Sequence, residues 1–211
     1  MDDRGIPLIV APAAFPVLLS EVKEWCRIDS QDTSQDITLN LLIAMATKTA
    51  EHLTGRCFVQ RTLQLPLQWF ERTIVLPLPP LIAVDQVAYT DIDGNVQIVD
   101  PSVYEIDTMN DPGKIQPKWK QFWPVLLGIN YTFNPVRITY RAGYVPPGSP
   151  QDLTDNSYLP PELRIWMQSR MASFYNNREQ YVIDTRLIDV QVPRDFADGV
   201  LDGLMIGTRY F

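Results

Sequence analysis

The chain has 211 residues, 45% of them hydrophobic and 20% charged, a globular composition with room for one large or two small domains. Its net charge is −7 and it has no run of basic residues, which argues against a sequence-independent grip on phosphates. Eighteen prolines predict rigid connections and extended arms, and two isolated cysteines, Cys26 and Cys57, make neither a disulfide framework nor a zinc site.

Residues 1–15 read as an extended arm. Its start, Met1-Asp2-Asp3, is acidic, and Pro7, Pro12 and Pro16 interrupt the apolar stretch that follows, unlike a signal peptide. Ile6, Leu8, Ile9 and Val10 are too apolar to hang in water, so the arm should lie on its own domain or on a neighbour. A first helix is predicted from Pro16 to Ile28, with Leu18, Leu19, Val22, Trp25 and Cys26 as its stripe. A polar turn leads into a second helix, Thr33–Thr54. Thr33 and Asp36 have capping-box spacing there, and Gly55 is suited to a left-handed C-terminal cap. Leu39, Leu42/Ile43, Ala46, Ala50 and Leu53 form one face, and Leu41 and Met45 widen it beyond what one core needs.

After Gly55 the period changes from 3.6 to 2. Short alternating runs follow: 62–65, 67–70, 74–76, 82–89, 96–99, 104–106, 114–115 and 136–144. Asp91-x-Asp93-Gly94-Asn95 has the look of half a calcium loop. Ser102 stands where such a loop needs its glutamate, and Asp-Gly is a hairpin signal, so a turn is expected. The whole reads as an antiparallel sandwich or open barrel of six to eight strands. A third helix opens at Pro160-Pro161, with Leu163, Trp166/Met167, Met171, Phe174 and Tyr175 on its stripe. The tail, with Val200, Leu201, Leu204, Met205 and Ile206 spaced by glycines and ending Arg209-Tyr210-Phe211, reads as a docking arm.

Catalytic signals are weak. His52 is the only histidine, which excludes a single-chain triad with a histidine base. No phosphate loop, dinucleotide fingerprint or Gly-x-Ser-x-Gly occurs. The pairs Asp152/Asp155 and Asp195/Asp198 lie in polar loops, which leaves a carboxylate hydrolase without a placed pair. Trp119, Phe122 and Trp123 suit either a core plug or a platform for a sugar or base. No catalytic, cofactor-binding or metal-binding residue is assigned, and the chain is expected not to be an enzyme. No apolar run approaches the roughly 20 residues of a membrane span.

A resemblance runs through nearly the whole chain. Carrying it are Pro16-Val17-Leu18-Leu19-Ser20-Glu21-Val22-Lys23, Thr54-Gly55-Arg56-Cys57-Phe58 and Gln60-Arg61-Thr62. Further on come Leu76-Pro77-Leu78-Pro79-Pro80-Leu81, Gly113-Lys114-Ile115-Gln116-Pro117, Ile138-Thr139-Tyr140-Arg141-Ala142-Gly143-Tyr144 and Leu159-Pro160-Pro161-Glu162-Leu163-Arg164. In order and spacing these resemble the head–tail connector (adaptor) proteins of tailed bacteriophages. The resemblance implies an α+β fold, a bundle of about three helices with an inserted antiparallel β domain and extended arms. Its parts would be an N-terminal arm (1–15), a helical ring-forming domain (16–57 and 159–180), the β insertion (58–146) and a C-terminal docking arm (181–211). It further implies a structural virion protein, made in the bacterial cytoplasm and placed at the capsid–tail junction. Twelve copies would form a ring under the portal and offer a seat to the next neck or tail-completion protein. Genomic DNA would pass through the lumen without sequence-specific binding. Portal docking would fall to Val200, Leu201, Leu204, Met205, Ile206, Arg209, Tyr210 and Phe211, and subunit contact to Leu41, Met45, Trp166 and Arg170. A ligand- or carbohydrate-binding module on the β region, with Trp119 and Trp123 as platform, is the alternative.

Overall fold

The computed structural model describes residues 8–10, 15–126, 133–144, 158–176 and 199–206. Helices and antiparallel sheets both occur, so the fold is α+β. The chain divides into two compact units, a helical one (Ala14–Phe58 with Val145–Met205) and a β one (Met1–Ala13, Val59–Tyr144 and Ile206–Phe211).

The helical unit contains α1 (Leu19–Trp25), α2 (Asp36–Thr54), α3 (Pro161–Asn176) and a short 3-10 helix, Gly199–Leu204. Helix α1 is shorter than the predicted 16–28. Leu18 is still extended, with φ −78° and ψ 146°, and at the other end Arg27 turns left-handed at φ 58°. The Leu18 N–H is satisfied by Glu21 Oε2 at 2.9 Å. Helix α2 starts at Asp36, and the expected Thr33–Asp36 box is not formed. Gln35 occupies the N-cap without a side-chain cap bond. Asp36 is engaged elsewhere, 2.6 Å from the buried Lys23 Nζ, and its own N–H donates to the Thr33 carbonyl at 3.3 Å. At the far end Gly55 closes the helix at φ 75°, the left-handed cap expected there.

Leu39, Ile43, Ala46 and Ala50 of α2 pack with Leu163, Trp166, Met167 and Met171 of α3 in the buried core of this unit. Two threonines lie on the same buried face of α2. Thr47 and Thr54 return their hydroxyls to the Ile43 and Ala50 carbonyls at 2.7 and 2.8 Å, so neither buries an unsatisfied donor. Ion pairs and long-range hydrogen bonds then sew the elements together. Arg164 Nη2 of α3 reaches Glu21 Oε1 of α1 at 2.6 Å. Arg56 Nε, just past α2, donates to the Leu204 carbonyl of the 3-10 helix at 2.7 Å.

Among its described residues the β unit has eight strands in two sheets. The larger follows the order β1-β2-β8-β4-β5, with β1 Leu8–Val10, β2 Arg61–Leu67, β4 Leu81–Thr90, β5 Val96–Ile98 and β8 Val136–Ala142. The smaller is β3-β7-β6, with β3 Ile74–Val75, β6 Tyr104–Asp107 and β7 Lys114–Pro117. The described strands pair antiparallel, and an isolated parallel bridge joins Val59 to Tyr144. The apolar segment of the N-terminal arm lies on its own domain, where Leu8 pairs with Leu63. Pro66 sits opposite Arg137 of β8, beyond the two residues of β2 that β1 covers, so its missing N–H breaks no described ladder.

Strand β8 alternates as predicted. Val136, Ile138, Tyr140 and Ala142 are buried, and Arg137, Thr139 and Arg141 are not. Strand β4 departs from the predicted alternation. Register shifts between Leu81 and Ala83 and between Val84 and Gln86 change which face its residues serve, so Leu81 and Val87 are buried while Ile82 and Val84 are only half-buried. The Tyr140 hydroxyl donates to the Pro77 carbonyl at 2.9 Å, tying the large sheet to the proline-rich turn after β3. Gly143 has φ 121°, and a Cβ there would stand 2.7 Å from the backbone of Val59 and Gln60, so only glycine fits.

Candidate functional site

Helix α2 has two apolar faces. One is in the core; the other carries Ile37, Leu41 and Met45 at spacing four, 80%, 67% and 40% exposed. Leu41 and Met45 were expected as contact residues on their spacing alone, and Ile37 extends their line by a turn. Trp166 is buried within its own helical unit, and Arg170, half-exposed, lies against its ring, the guanidinium 5.4 Å from the centroid in a cation–π geometry.

The 3-10 helix also differs from its sequence expectation. Leu201 is fully buried, and Leu204 is held through its carbonyl by Arg56. Val200 and Met205 remain exposed, and Ile206 is half-buried. Arg209, Tyr210 and Phe211 lie outside the described residues, as do Asp152, Asp155, Asp195 and Asp198.

Aromatic residues also collect at one end of the large sheet. There β2 runs out into Gln68, Trp69 and Phe70, and β8 is preceded by Phe133 and Asn134. The Asn134 N–H donates to Gln68 Oε1 at 3.3 Å, and the Thr90 N–H to the Pro135 carbonyl at 2.9 Å. The segment after β7 arrives at the same end, because the Trp123 ring stacks on Phe70 with centroids 4.9 Å apart and planes 10° apart. Tyr104 and Tyr89 flank this stack. Trp123 and Phe70 are half-buried and act as a plug. Trp119, Phe122 and Phe133 are 88%, 83% and 91% exposed, and Val125 and Trp69 are exposed as well. Trp119 and Trp123 thus do different jobs, one ring free and the other stacked, and do not form a shared platform.

The polar groups show ordinary turn chemistry. Asp91 Oδ1 accepts from the Asp93 and Asn95 N–H groups at 3.0 and 2.8 Å, and Oδ2 accepts from Gln97 Nε2 at 2.9 Å. These bonds, led by Gln97, hold its carboxyl below the usual carboxylate value. Asp32, Asp100 and Asp107 are lowered in the same way, chiefly by hydrogen bonds from Ser34, Ser102 and Asn110. Desolvation raises the thiol of the half-buried Cys26, away from reactivity. His52 is exposed on α2. A shallow groove of about 500 Å³ beside β6 is lined by Thr73, Glu105, Asp107, Lys114 and Gln116 among others. Its amide and carboxylate already satisfy each other, with Gln116 Nε2 donating to Glu105 Oε1 at 2.5 Å. Among the described residues no group of His, Cys, Asp and Glu could hold a metal ion, and no helix is long and apolar enough to cross a membrane.

The sequence of residues 17–116 matches the family described as phage gp6-like head-tail connector protein. That stretch runs from the approach to α1 through the helical hairpin and into β7. Solved chains share the fold over almost the full length. One, from the neck of empty GTA particle computed with C6 symmetry, has a TM-score of 0.69 at 14% identity and covers 97% of this chain and 98% of that one. Another, from the neck of native GTA particle computed with C12 symmetry, has a TM-score of 0.63 at 17% identity, with the same coverage. A third, from the virion of a native gene transfer agent (GTA) particle, has a TM-score of 0.67 at 17% identity and covers 86% of this chain and 89% of that one. No curated protein matches the chain.

Proposed function

We propose that this chain, a phage gp6-like head-tail connector sequence over residues 17–116, is a structural connector of a virion neck. In this reading twelve copies form a ring beneath the portal, extend the DNA channel and present the seat for the next neck or tail protein. The observation that carries it is the fold shared along 97% of the chain with a chain of a particle neck. The C12 symmetry of the native GTA neck supports the copy number. In domain terms, residues 16–57 with 159–180 build the ring and 58–146 are an insertion between its helices.

The work of such a protein is assembly. Each copy need bind its neighbours only weakly, because a closed ring adds many identical contacts. The stripe Ile37, Leu41 and Met45 is apolar surface that a monomer has no reason to expose along a helix already buried on its other side. A net charge of −7 suits a conduit that must not hold on to a phosphate backbone.

Portal docking belongs to the end of the tail. Leu201 is committed to the chain's own core, so in this reading docking falls to Val200, Met205 and Ile206 together with Arg209, Tyr210 and Phe211 of the sequence. Purified protein mixed with its cognate portal should show rings stacked on the portal in negative-stain images. Protein truncated after Ile206 should keep its melting temperature and lose portal attachment. A protein that stays monomeric both alone and with portal refutes the ring, and unchanged attachment of the truncated form refutes the tail assignment.

A further inference from the structure

Strand β5, Val96–Ile98, ends the large sheet, and among the described residues no strand lies beyond it. Two hydrogen bonds fix which way its backbone faces. The Asp91 N–H donates to the Asn95 carbonyl at 2.9 Å, and the Val99 N–H to the Val87 carbonyl at 2.8 Å. The β4–β5 register sets Tyr89 opposite Gln97, midway between those two bonded pairs. Bonded and non-bonded pairs alternate along an antiparallel ladder, so Gln97 turns its N–H and C=O to β4, while Val96 and Ile98 turn theirs to the open edge. The Thr90 N–H fits the same alternation, since it donates to the Pro135 carbonyl on the other side of β4. We propose that β5 is a strand-addition site: an extended segment of a different chain pairs with its open edge, with aliphatic side chains at alternate positions beside Val96 and Ile98 and a basic residue where it passes the hairpin tip.

The side chains of β5 are inverted relative to its sheet. Residues directly opposite each other share a face. Ile98 stands opposite Ala88, and Ala88 opposite Arg137; Gln97 stands opposite Tyr89, and Tyr89 opposite the buried Val136. The polar Gln97 is therefore on the face that carries the core of the sheet. The aliphatic Val96 and Ile98 are on the outer face, 57% and 64% exposed, where an antiparallel sheet normally keeps polar residues. An exposed aliphatic edge is a liability that folded proteins blunt, so its presence here points to cover by another strand. The edge is also held ready. Asp91 accepts from the Asp93 and Asn95 N–H groups through Oδ1 and from the Gln97 amide through Oδ2, which fixes the turn and the polar side of the strand before anything docks. An added strand completes the backbone bonds of Val96 and Ile98 and lays its alternate side chains beside theirs.

Charge identifies the occupant. From Thr73 to Gly113 the chain has no Lys or Arg and seven Asp and Glu. Asp85 is paired with Arg141, and Lys118 and Lys114 stand near Asp100 and Asp107. Asp91 accepts from neutral donors and Asp93 is exposed, so the hairpin tip keeps its negative charge. A second copy is the wrong occupant. Two β5 edges paired antiparallel about Gln97 would set each tip beside the Asp100 of the other, and two paired in parallel would set tip beside tip. Like charges directly opposed destabilise a strand pair. A different chain with Lys or Arg at the position that passes the tip brings opposite signs together, which steers the encounter and fixes its direction. The connector reading supplies such a chain, the next neck or tail protein, and only the source of the strand rests on that reading.

The test uses the full chain as wild type, Ile98→Pro and Gln97→Pro. Proline at 98 removes an N–H that faces the open edge, and proline at 97 removes one that bonds β4. Ile98→Pro should therefore melt within a few degrees of wild type and Gln97→Pro clearly lower; the reverse order overturns the assigned edge. If Ile98→Pro does not fold, Ile98→Lys takes its place, because it blunts the same edge with an exposed charge. The probe is a synthetic peptide, Lys-Thr-Val-Thr-Val-Thr-Lys, and a twin with Glu at both ends. Titrated into isotope-labelled wild type, the Lys-ended peptide should shift the NMR signals of the Val96 and Ile98 amides. The twin should bind at least about threefold more weakly, and the position-98 variant should bind the Lys-ended peptide at least about tenfold more weakly. No shift at those amides with either peptide overturns strand addition, and equal affinity for the two overturns the charge assignment. Hydrogen exchange then tests the source. The Val96 and Ile98 amides should exchange at least about tenfold more slowly in necks of purified particles than in rings of this protein on its portal. Equal, fast exchange in both overturns the next neck protein as occupant, while peptide binding still upholds the site. Protection already present in rings of this protein alone makes the occupant a second copy and overturns the different chain. Rings that never form refute the connector reading and leave the peptide result to decide the site.

Discussion

The helical unit and the β unit are stabilised by different means. In the helical unit, charged groups on separate elements hold the parts together: Lys23 with Asp36, Glu21 with Arg164, and Arg56 with the Leu204 carbonyl. In the β unit the ion pair of Arg141 with Asp85 is about 40% exposed at both ends and adds little. There the structure rests on ladder register, on the Tyr140–Pro77 bond and on places where backbone passes too close for a side chain. The helical unit should therefore be sensitive to losing a charge and the β unit to gaining volume.

The sharpest way to break this contrast is to add volume to the β unit. At Gly143 any Cβ meets the Val59 and Gln60 backbone at 2.7 Å, and φ is 121°. Gly143→Val combines a steric overlap that backbone must relieve with a conformation Val avoids. It should cost about 4 kcal/mol or more, or prevent folding. Gly94→Ala is the control: φ is 83° but nothing lies within 4 Å. It carries the conformational term alone, about 1 kcal/mol. Melting curves that fall equally for both would show that space at Gly143 is not what matters.

Next comes removal of a charge from the helical unit. Lys23 is only 5% exposed. Its Nζ pairs with Asp36 and donates to the Asp32 and Ser30 carbonyls at 2.8 and 3.4 Å. The one ammonium thus holds the whole turn between α1 and α2. Lys23→Met keeps the stem and removes the charge, leaving Asp36 and two carbonyls without their donor. Breaking a buried pair costs roughly 3–5 kcal/mol. Because Asp36 is 26% exposed and can draw on water, about 2–3 kcal/mol is expected in chemical denaturation. The same measurement on Arg141→Met, the exposed partner of Asp85, should give less than about 1 kcal/mol. Equal losses would erase the distinction between the units.

The contrast also explains which features were legible in the residues. Gly55 as the cap of α2, the Asp-Gly hairpin between β4 and β5 and the alternation of β8 depend on near neighbours in sequence, and the spacing predicts them correctly. The Thr33–Asp36 box has the right spacing and fails, because Lys23, thirteen residues upstream, claims the carboxylate. The two register shifts in β4 depend on pairing with β8, some fifty residues away, and leave no mark on the local pattern. Leu201 reads as tail surface because glycines surround it, but Arg56 fixes that turn from the other end of the chain. In the α2 stripe, helical spacing marks Leu41 and Met45; Ile37 lies within the same predicted helix, and its exposure is what adds it to the line. The separation of Trp119 from Trp123 was not available from sequence, since both stand in one aromatic cluster and only the stack on Phe70 tells them apart.

The smallest effect belongs to the solvated tip of the β4–β5 hairpin, where a charge does local work within the β unit. Asp91 gathers the Asp93 and Asn95 N–H groups and the Gln97 side chain, all exposed. Its carboxyl is lowered first by Gln97 and then by Asn95. A lowered folded-state value means that the bonds stabilise the turn fully above the unfolded carboxylate value of about 3.9. They are lost as pH falls through the folded value, so the loss is confined to acid below about pH 4. Hydrogen exchange at the Asn95 amide, corrected for intrinsic rates, should lose protection on that descent and show none of the loss between pH 5 and 8. Asp91→Ala should remove the same protection at every pH without a measurable change in the global melting transition, because water can replace an exposed acceptor. A global shift as large as that of Lys23→Met would mean the hairpin tip is coupled to the core, and the β unit would then depend on charge as the helical unit does.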